Sequence, residues 1–213
     1  MPSTSEKTIG RLSLYRRMLC DLQACGVQYT FSHQLAGMAG VTAAQVRRDL
    51  MSIGYSGSTK RGYEVSELMQ SIAEFLDAPN RQGVALVGVG NLGRAIMTFF
   101  AGRRPSLAIV AAFDNDPYKT GRVINGVRCY AMDDLEQVCQ EQALEAAIIA
   151  VPAEGAQEVA DRLIRAGVRG ILNFAPTRLR VGPGIYVEDN DITTALEKVA
   201  YFARSGLTTE RSG

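Results

Sequence analysis

Val84-Ala85-Leu86-Val87-Gly88-Val89-Gly90-Asn91-Leu92-Gly93-Arg94-Ala95 is the stretch from which the rest of the chain is read. Its first four residues are uniformly apolar, the mark of a short strand buried on both faces. Residues 92–101 then read as a helix. Between them lies G-x-G-x-x-G, weak as an isolated pattern but mechanistic directly between a strand and a helix. Gly88 permits a tight turn, Gly90 lets the backbone approach a pyrophosphate, and Gly93 lets helix and strand pack closely. The helix start at Asn91 and Leu92 presents unpaired N–H groups and partial positive charge to phosphates, with Val89 in the turn. Asp114 ends the next apolar run, 21 residues after Gly93. A carboxylate there accepts hydrogen bonds from the adenosine ribose hydroxyls and repels a 2′-phosphate, so NADH or NAD+ is expected over the phosphorylated forms. The bland alternative is a glycine turn beside a strand-end aspartate that caps a loop. Asp116 reads as a turn residue before Pro117.

Further along, helix 133–142, strand 146–151, helix 154–166 and strand 170–174 continue an alternation. Unbroken apolar strands between amphipathic helices give an α/β chain with a Rossmann-like, doubly wound parallel sheet. Val151-Pro152 and Asn173-Phe174 end their strands and are expected to border the nicotinamide. A last helix, 192–203, is apolar at Ile192, Leu196, Val199 and Phe202, a stripe that needs a partner surface.

Toward the N-terminus, Pro79 in the stretch 77–83 ends the preceding helix and marks a linker. Before it, Leu14, Met18, Leu19 and Leu22 recur at helical spacing after Ser13, a candidate cap. A short helix, 32–38, is stopped by Gly40, and a third begins at Thr42 with Gln45 three residues on. On that third helix Val46, Leu50 and Ile53 face inward. Ala44, Arg48 and Ser52 point away, with Gln45 and Arg47 on the flanks. Residues 54–63, rich in Gly and Ser, suit a two-stranded ribbon with Lys60 and Arg61 at its tip. A winged helix-turn-helix follows, in which Gln45, Arg47, Arg48, Ser52, Lys60 and Arg61 are the candidate DNA contacts. A three-helix packing unit with a solvated charged face is the alternative. The domains read as 1–79 (DNA-binding), 80–190 (dinucleotide-binding) and 191–205 (terminal helix).

The 213 residues are 46% hydrophobic and 21% charged, as in an ordinary soluble globular protein. The longest apolar run, 107–113, is far short of the ~18 residues a membrane span needs. No apolar export leader precedes it, so a cytoplasmic protein is expected. Net charge is only +1, so any argument for nucleic acid must be local. Locally it holds: residues 1–65 carry eight basic and four acidic side chains, against 15 and 18 in the remainder. Cys20, Cys25, Cys129 and Cys139 match no metal or redox spacing and read as free thiols. His33, the one histidine, reads as a surface residue or a phosphate contact, and no metal site is expected. No Tyr-x-x-x-Lys occurs, and the segments Val151-Pro152-Ala153 and Asn173-Phe174-Ala175-Pro176 offer no obvious acid or base. The chain is built to bind a cofactor without turning it over, so no catalytic residue is expected.

The order helix-turn-helix, ribbon, GVGNLGRA, AFDNDPYKTG, IIAVPAEGAQEVADRLIRAGVRGILNFAP and VEDNDITTALEKVAYF resembles the Rex family of redox-sensing transcriptional repressors, over roughly residues 8–204. The resemblance implies a homodimer whose terminal helix swaps between subunits. It also implies palindromic operator DNA held when NAD+ is abundant and released when NADH binds. It further implies a switch in which Asp191 exchanges between Arg17 on the first helix and a tyrosine near the nicotinamide. That tyrosine is Phe99 here, which cannot donate a hydrogen bond. Ile192 replaces a phenylalanine found in some members, and the wing's basic pair lies nearer its second glycine. Two alternatives stay open: an NAD-dependent oxidoreductase with an appended DNA-binding domain, and a CoA-type nucleotide module, which the VPAE…NFAP half resembles.

Overall fold

The computed structural model describes residues 4–58, 60–102 and 106–205; Thr59 of the ribbon lies outside the described residues. The chain divides between Pro79 and Asn80 into two compact units.

The first unit is helical. Helix α1 runs Glu6–Ala24. It is followed by β1 (Tyr29–Thr30), α2 (Ser32–Ala39), α3 (Ala43–Ser52), β2 (Tyr63–Glu64) and α4 (Val65–Leu76). The cap of α1 is Ser5, whose Oγ accepts the Thr8 N–H at 3.2 Å. Ser13, expected as the cap, lies mid-helix, and the buried face is Leu12, Tyr15 and Leu19. The polar first two turns hid the true start. Gly40, in the left-handed region at φ 66°, stops α2. Thr42 Oγ1 accepts the Gln45 N–H at 3.1 Å and starts α3, which buries Val46 and Leu50 against Leu12, Tyr15, Leu35, Leu68 and Ile72. The expected ribbon is displaced. The main pairing joins β1 to β2, Tyr29 opposite Glu64 and Thr30 opposite Tyr63, leaving one Ser58–Gly62 bridge at the tip. Buried Tyr63 draws the returning strand onto β1 instead of onto residues 54–57.

The second unit contains β3 (Gln82–Val87), α5 (Asn91–Phe100), β4 (Leu107–Asp114), β5 (Val123–Ile124), β6 (Val127–Ala131), α6 (Leu135–Glu141), β7 (Ala146–Ile149), α7 (Ala153–Arg165), β8 (Gly170–Asn173), β9 (Tyr186–Asp189) and α8 (Ile192–Ser205). Seven strands form one sheet in the order β5-β6-β4-β3-β7-β8-β9, parallel throughout except for the β5–β6 hairpin. The strand period of two sends alternate residues to opposite faces. Ala85, Val87, Phe113 and Ile149 pack against Leu135, Val138, Val159 and Leu163 of α6 and α7. Val84, Leu86, Ala112 and Ile148 share the other face with Ile96 and Met97 of α5. That second face is covered only in part. Beyond α5 lies an almost wholly apolar hollow of about 230 Å³, bordered by Val84, Phe100, Ile109, Ile148, Leu172 and Tyr186. In α8 no residue is buried, and Ile192, Leu196 and Val199 stand more than half exposed.

Candidate functional site

The glycine loop shows what each glycine is for. Gly88 sits at φ 98°, and a β-carbon there would strike the Ala150 carbonyl. At Gly93 a β-carbon would strike the Gly88 carbonyl. Both are demanded by the chain's own packing. Gly90 is different: φ is −78°, and a β-carbon would meet nothing within 4 Å. Among the described residues nothing requires glycine there, whereas a ligand approaching the backbone would. Gly90 is also the N-cap of α5, and no side chain closes that end. The same is true at Pro152, the N-cap of α7. Two open helix N-termini thus flank one region, each offering unpaired N–H groups to an anion.

They border a cleft of about 670 Å³, within the usual range for small-molecule sites. Gly88, Gly90, Asp114, Val151 and Pro152 all line it. Val89 is buried, and its N–H donates to Asp114 Oδ2 at 2.8 Å. Asp114 Oδ1 accepts the Asp116 N–H at 2.9 Å. Lys119, five residues on, places Nζ 3.1 Å from Asp114 Oδ2 and 3.5 Å from Asp116 Oδ2. Burial works to raise the Asp114 carboxyl, but the two N–H donors and the Lys119 ammonium hold it below its ordinary value. Three acceptor positions of Asp114 are filled, leaving about one for a ribose hydroxyl. The Lys119 ammonium thus stands beside the carboxylate expected to repel a 2′-phosphate.

Asn173 and Phe174, expected to border the ring, are not among the residues lining the cleft. Asn173 is fully buried, its Nδ2 donating to the Thr177 carbonyl at 2.7 Å and Asp189 Oδ1 at 2.8 Å, and its Oδ1 accepting the Ala175 N–H at 3.0 Å. Phe174 packs with the core on the opposite face of the sheet. Reasoning from sequence also missed Lys119, Glu154, Glu158 and Arg162 on the cleft. Arg162 grips Glu136 with Nε to Oε1 at 2.7 Å and Nη2 to Oε2 at 2.5 Å, and also reaches the Met132 carbonyl. The lining is therefore mixed, not purely apolar. Helical spacing carried the signal, since Glu154, Glu158 and Arg162 repeat every fourth residue on α7. The set fits a dinucleotide: two open helix ends for a pyrophosphate, a strand-end carboxylate for a ribose, and Val151 and Pro152 for a planar ring.

In the first unit, Arg47, Arg48 and Ser52 are exposed on α3, and Lys60 and Arg61 on the ribbon tip. Their side chains are not all loose. Arg47 Nη1 donates to Ser32 Oγ at 3.1 Å, and Ser52 Oγ to the Asp49 carbonyl at 2.6 Å. Gln45 is half-buried, donating from Nε2 to Asp49 Oδ1 at 2.8 Å while its Oε1 accepts from Arg48 Nη2 at 2.8 Å. Asp49, only 2% exposed, went unnoticed in the sequence. Arg11 Nε and Nη2 hold it bidentately at 2.6 and 2.7 Å, and the Tyr15 hydroxyl donates at 2.9 Å. Burial opposes ionisation of Asp49, but these donors keep its carboxyl low, and burial followed by Asp49 pushes the Tyr15 hydroxyl up. The signal lay in spacing: Asp49 follows Val46 by three on the inward face.

Arg17 is exposed on α1 of the first unit. Asp191 caps α8 in the second, its carboxylate accepting the Thr194 N–H at 3.0 Å and the Thr194 hydroxyl at 2.6 Å. Those two bonds, the hydroxyl first, hold the Asp191 carboxyl below its ordinary value. Phe99, on α5, is 55% exposed and meets Phe100 edge-on. Among the described residues there is no cluster able to hold a metal ion, and no helix is long and apolar enough to cross a membrane.

Comparison with known proteins covers nearly the whole chain. A family model described as a CoA binding domain matches residues 80–177, and one described as a putative DNA-binding protein N-terminus matches residues 3–50. The "Redox-sensing transcriptional repressor Rex" of Rhodopirellula baltica is 42% identical over 92% of this chain and 83% of its own. That of Carboxydothermus hydrogenoformans is 43% identical over 93% and 96%. A crystal structure of RSP in complex with beta-NAD+ and operator DNA superposes with TM-score 0.88 at 30% identity, covering 97% of this chain and 95% of that one. RSP in complex with beta-NADH gives 0.83 at 30% identity, covering 97% of each chain.

Proposed function

The chain belongs to the Rex family of redox-sensing transcriptional repressors, and from that premise we propose that it binds palindromic operator DNA and lets go when NADH fills its cleft. It is a regulator, not an enzyme. Residues 1–79 form the DNA-binding domain, 80–190 the dinucleotide-binding domain and 191–205 a helix exchanged in a homodimer, and the protein works in the cytoplasm. The observation that carries the reading is Gly90. It is a glycine that no packing among the described residues requires, at an open helix end, beside the strand-end Asp114.

The residues divide the work. Backbone N–H groups from Gly90 to Gly93 bind the pyrophosphate, with Gly88 shaping the turn. Asp114, steadied by Lys119 and the Val89 N–H, orients the adenosine ribose. Val151 and Pro152 border the nicotinamide and, being apolar, tolerate the uncharged reduced ring better than the cationic oxidised one. Asn173 locks the end of β8 to the end of β9. On α3, Arg47 and Arg48 meet the major groove, with Lys60 and Arg61 on the neighbouring backbone. The apolar stripe of α8 and the apolar hollow over β7 and β8 favour a dimer, because such surfaces are buried in a stable protein. Arg17 and Asp191 form the switch, with Asp191 leaving its cap on Thr194 to do so.

Calorimetric titration of the whole protein with NADH, NAD+ and CoA tests this reading. NADH should bind tightest. The match of residues 80–177 to a CoA-binding model favours one rival, and CoA binding more tightly than NADH would establish it.

A further inference from the structure

Four hydrogen bonds converge on one carboxylate beneath the exposed face of α3. Asp49 Oδ2 accepts from Arg11 Nε and the Tyr15 hydroxyl, and Oδ1 accepts from Arg11 Nη2 and Gln45 Nε2. An ionised carboxylate offers about four acceptor positions and no donor, so the set is complete. This fixes the Gln45 amide. Only its NH2 end can face Asp49, so the carbonyl end must turn outward. There it meets Arg48, a side chain with donors only, at 2.8 Å.

We propose that Asp49 and Gln45 are positioning residues for DNA readout, holding the Arg48 guanidinium ready to reach a base edge before DNA arrives. The inference rests on the DNA-binding reading of this face. Arg48 is the arginine that touches DNA; Gln45 acts through it. A free arginine side chain loses rotamer entropy when it docks, and an arginine already held loses less. The anchoring of α3 to α1 through Arg11 gives the relay a fixed origin.

The test uses the full-length protein and the palindrome it selects from a random duplex library, with a scrambled duplex as control. Gln45→Met keeps helix propensity and bulk while removing the amide. Gln45→Met should weaken palindrome binding about tenfold and leave scrambled-duplex binding and the salt slope unchanged, since no charge is lost. The unfolding temperature should fall by no more than about 6 °C, because Asp49 loses one of its four donors while Arg11 and Tyr15 still hold it. The double variant Gln45→Met/Arg48→Ala should bind the palindrome no more weakly than Arg48→Ala alone. Multiplying losses would mean that Gln45 reads DNA by itself, and equal losses on both duplexes would mean a general defect. Either overturns the relay. A wild-type protein with no preference for any duplex would sink the repressor reading itself, and the relay with it.

Discussion

The three loop glycines should fail in different ways when replaced by alanine. Gly90→Ala adds a methyl group to a backbone any residue can adopt, with open space around it. Its stability should hold or rise by up to about 1 kcal/mol, because the unfolded chain loses freedom. At about 3 °C per kcal/mol for a unit of this size, Tm should move up by no more than ~3 °C. The same methyl group occupies the approach of a pyrophosphate to the α5 N-terminus. Losing one or two charge-assisted hydrogen bonds of about 1.5–3 kcal/mol each should weaken NADH about 10- to 100-fold or more. Gly93→Ala and Gly88→Ala instead meet backbone carbonyls that cannot move aside, at Gly88 with a left-handed φ added. Each should lose roughly 2–3 kcal/mol and 6–9 °C. Differential scanning calorimetry with NADH titration separates the outcomes. Gly90→Ala binding NADH as wild type does, or unfolding like Gly93→Ala, would refute the assignment of Gly90 to the ligand.

Other substitutions probe other parts. Arg162→Met leaves the Met132 carbonyl without its partner and Glu136 with only the longer Arg165 contact at 3.6 Å, and should cost about 2 kcal/mol near pH 7, read as Tm. The Arg162 hydrogen bond holds the Glu136 carboxyl at about 2 against an ordinary 4.5, so this stabilisation is complete above pH 4.5 and fades as pH falls toward 2. The gap in Tm between wild type and Arg162→Met should therefore narrow below pH 4.5, and a constant gap contradicts the assignment. Lys119→Gln removes the cation beside Asp114, so NADPH affinity should fall about tenfold while NADH changes less than about threefold. Equal losses would show that Lys119 does not offset the carboxylate. Leu196→Glu puts a charge into the exposed apolar stripe of α8 and should yield monomers by sedimentation velocity, whereas an unchanged dimer would remove α8 from the interface.

The parts legible from sequence are those whose cause is local. The glycine loop works because a strand, a turn and a helix follow one another without a gap. The α2–α3 turn shows through Gly40 and Thr42 for the same reason. The stripe on α8 is periodic, so its faces could be assigned without knowing what covers them. Long-range partners left no such trace. Two-residue strands such as β1, β2 and β5 are too short to display a period, and β9 alternates Tyr186, Val187, Glu188 and Asp189 without an apolar run. Asp49 shows no local sign of its pairing because its partner Arg11 lies 38 residues away. Asn173 was read as facing the ring because it ends a strand, but its amide is consumed by Thr177, Ala175 and Asp189 across a loop no periodicity foretells. Lys119 hid for a simpler reason: the carboxylate at Asp114 was weighed by its own charge, without the ammonium that folds back onto it.

One cleft is held to report the redox state of a dinucleotide to the DNA-reading face of the same protein. Fluorescence anisotropy on the selected palindrome, at one fixed salt concentration, measures that link directly. Added NADH should release the DNA at concentrations where NAD+ leaves it bound. Release by both at the same concentration, or by neither although NADH binds, would contradict the account.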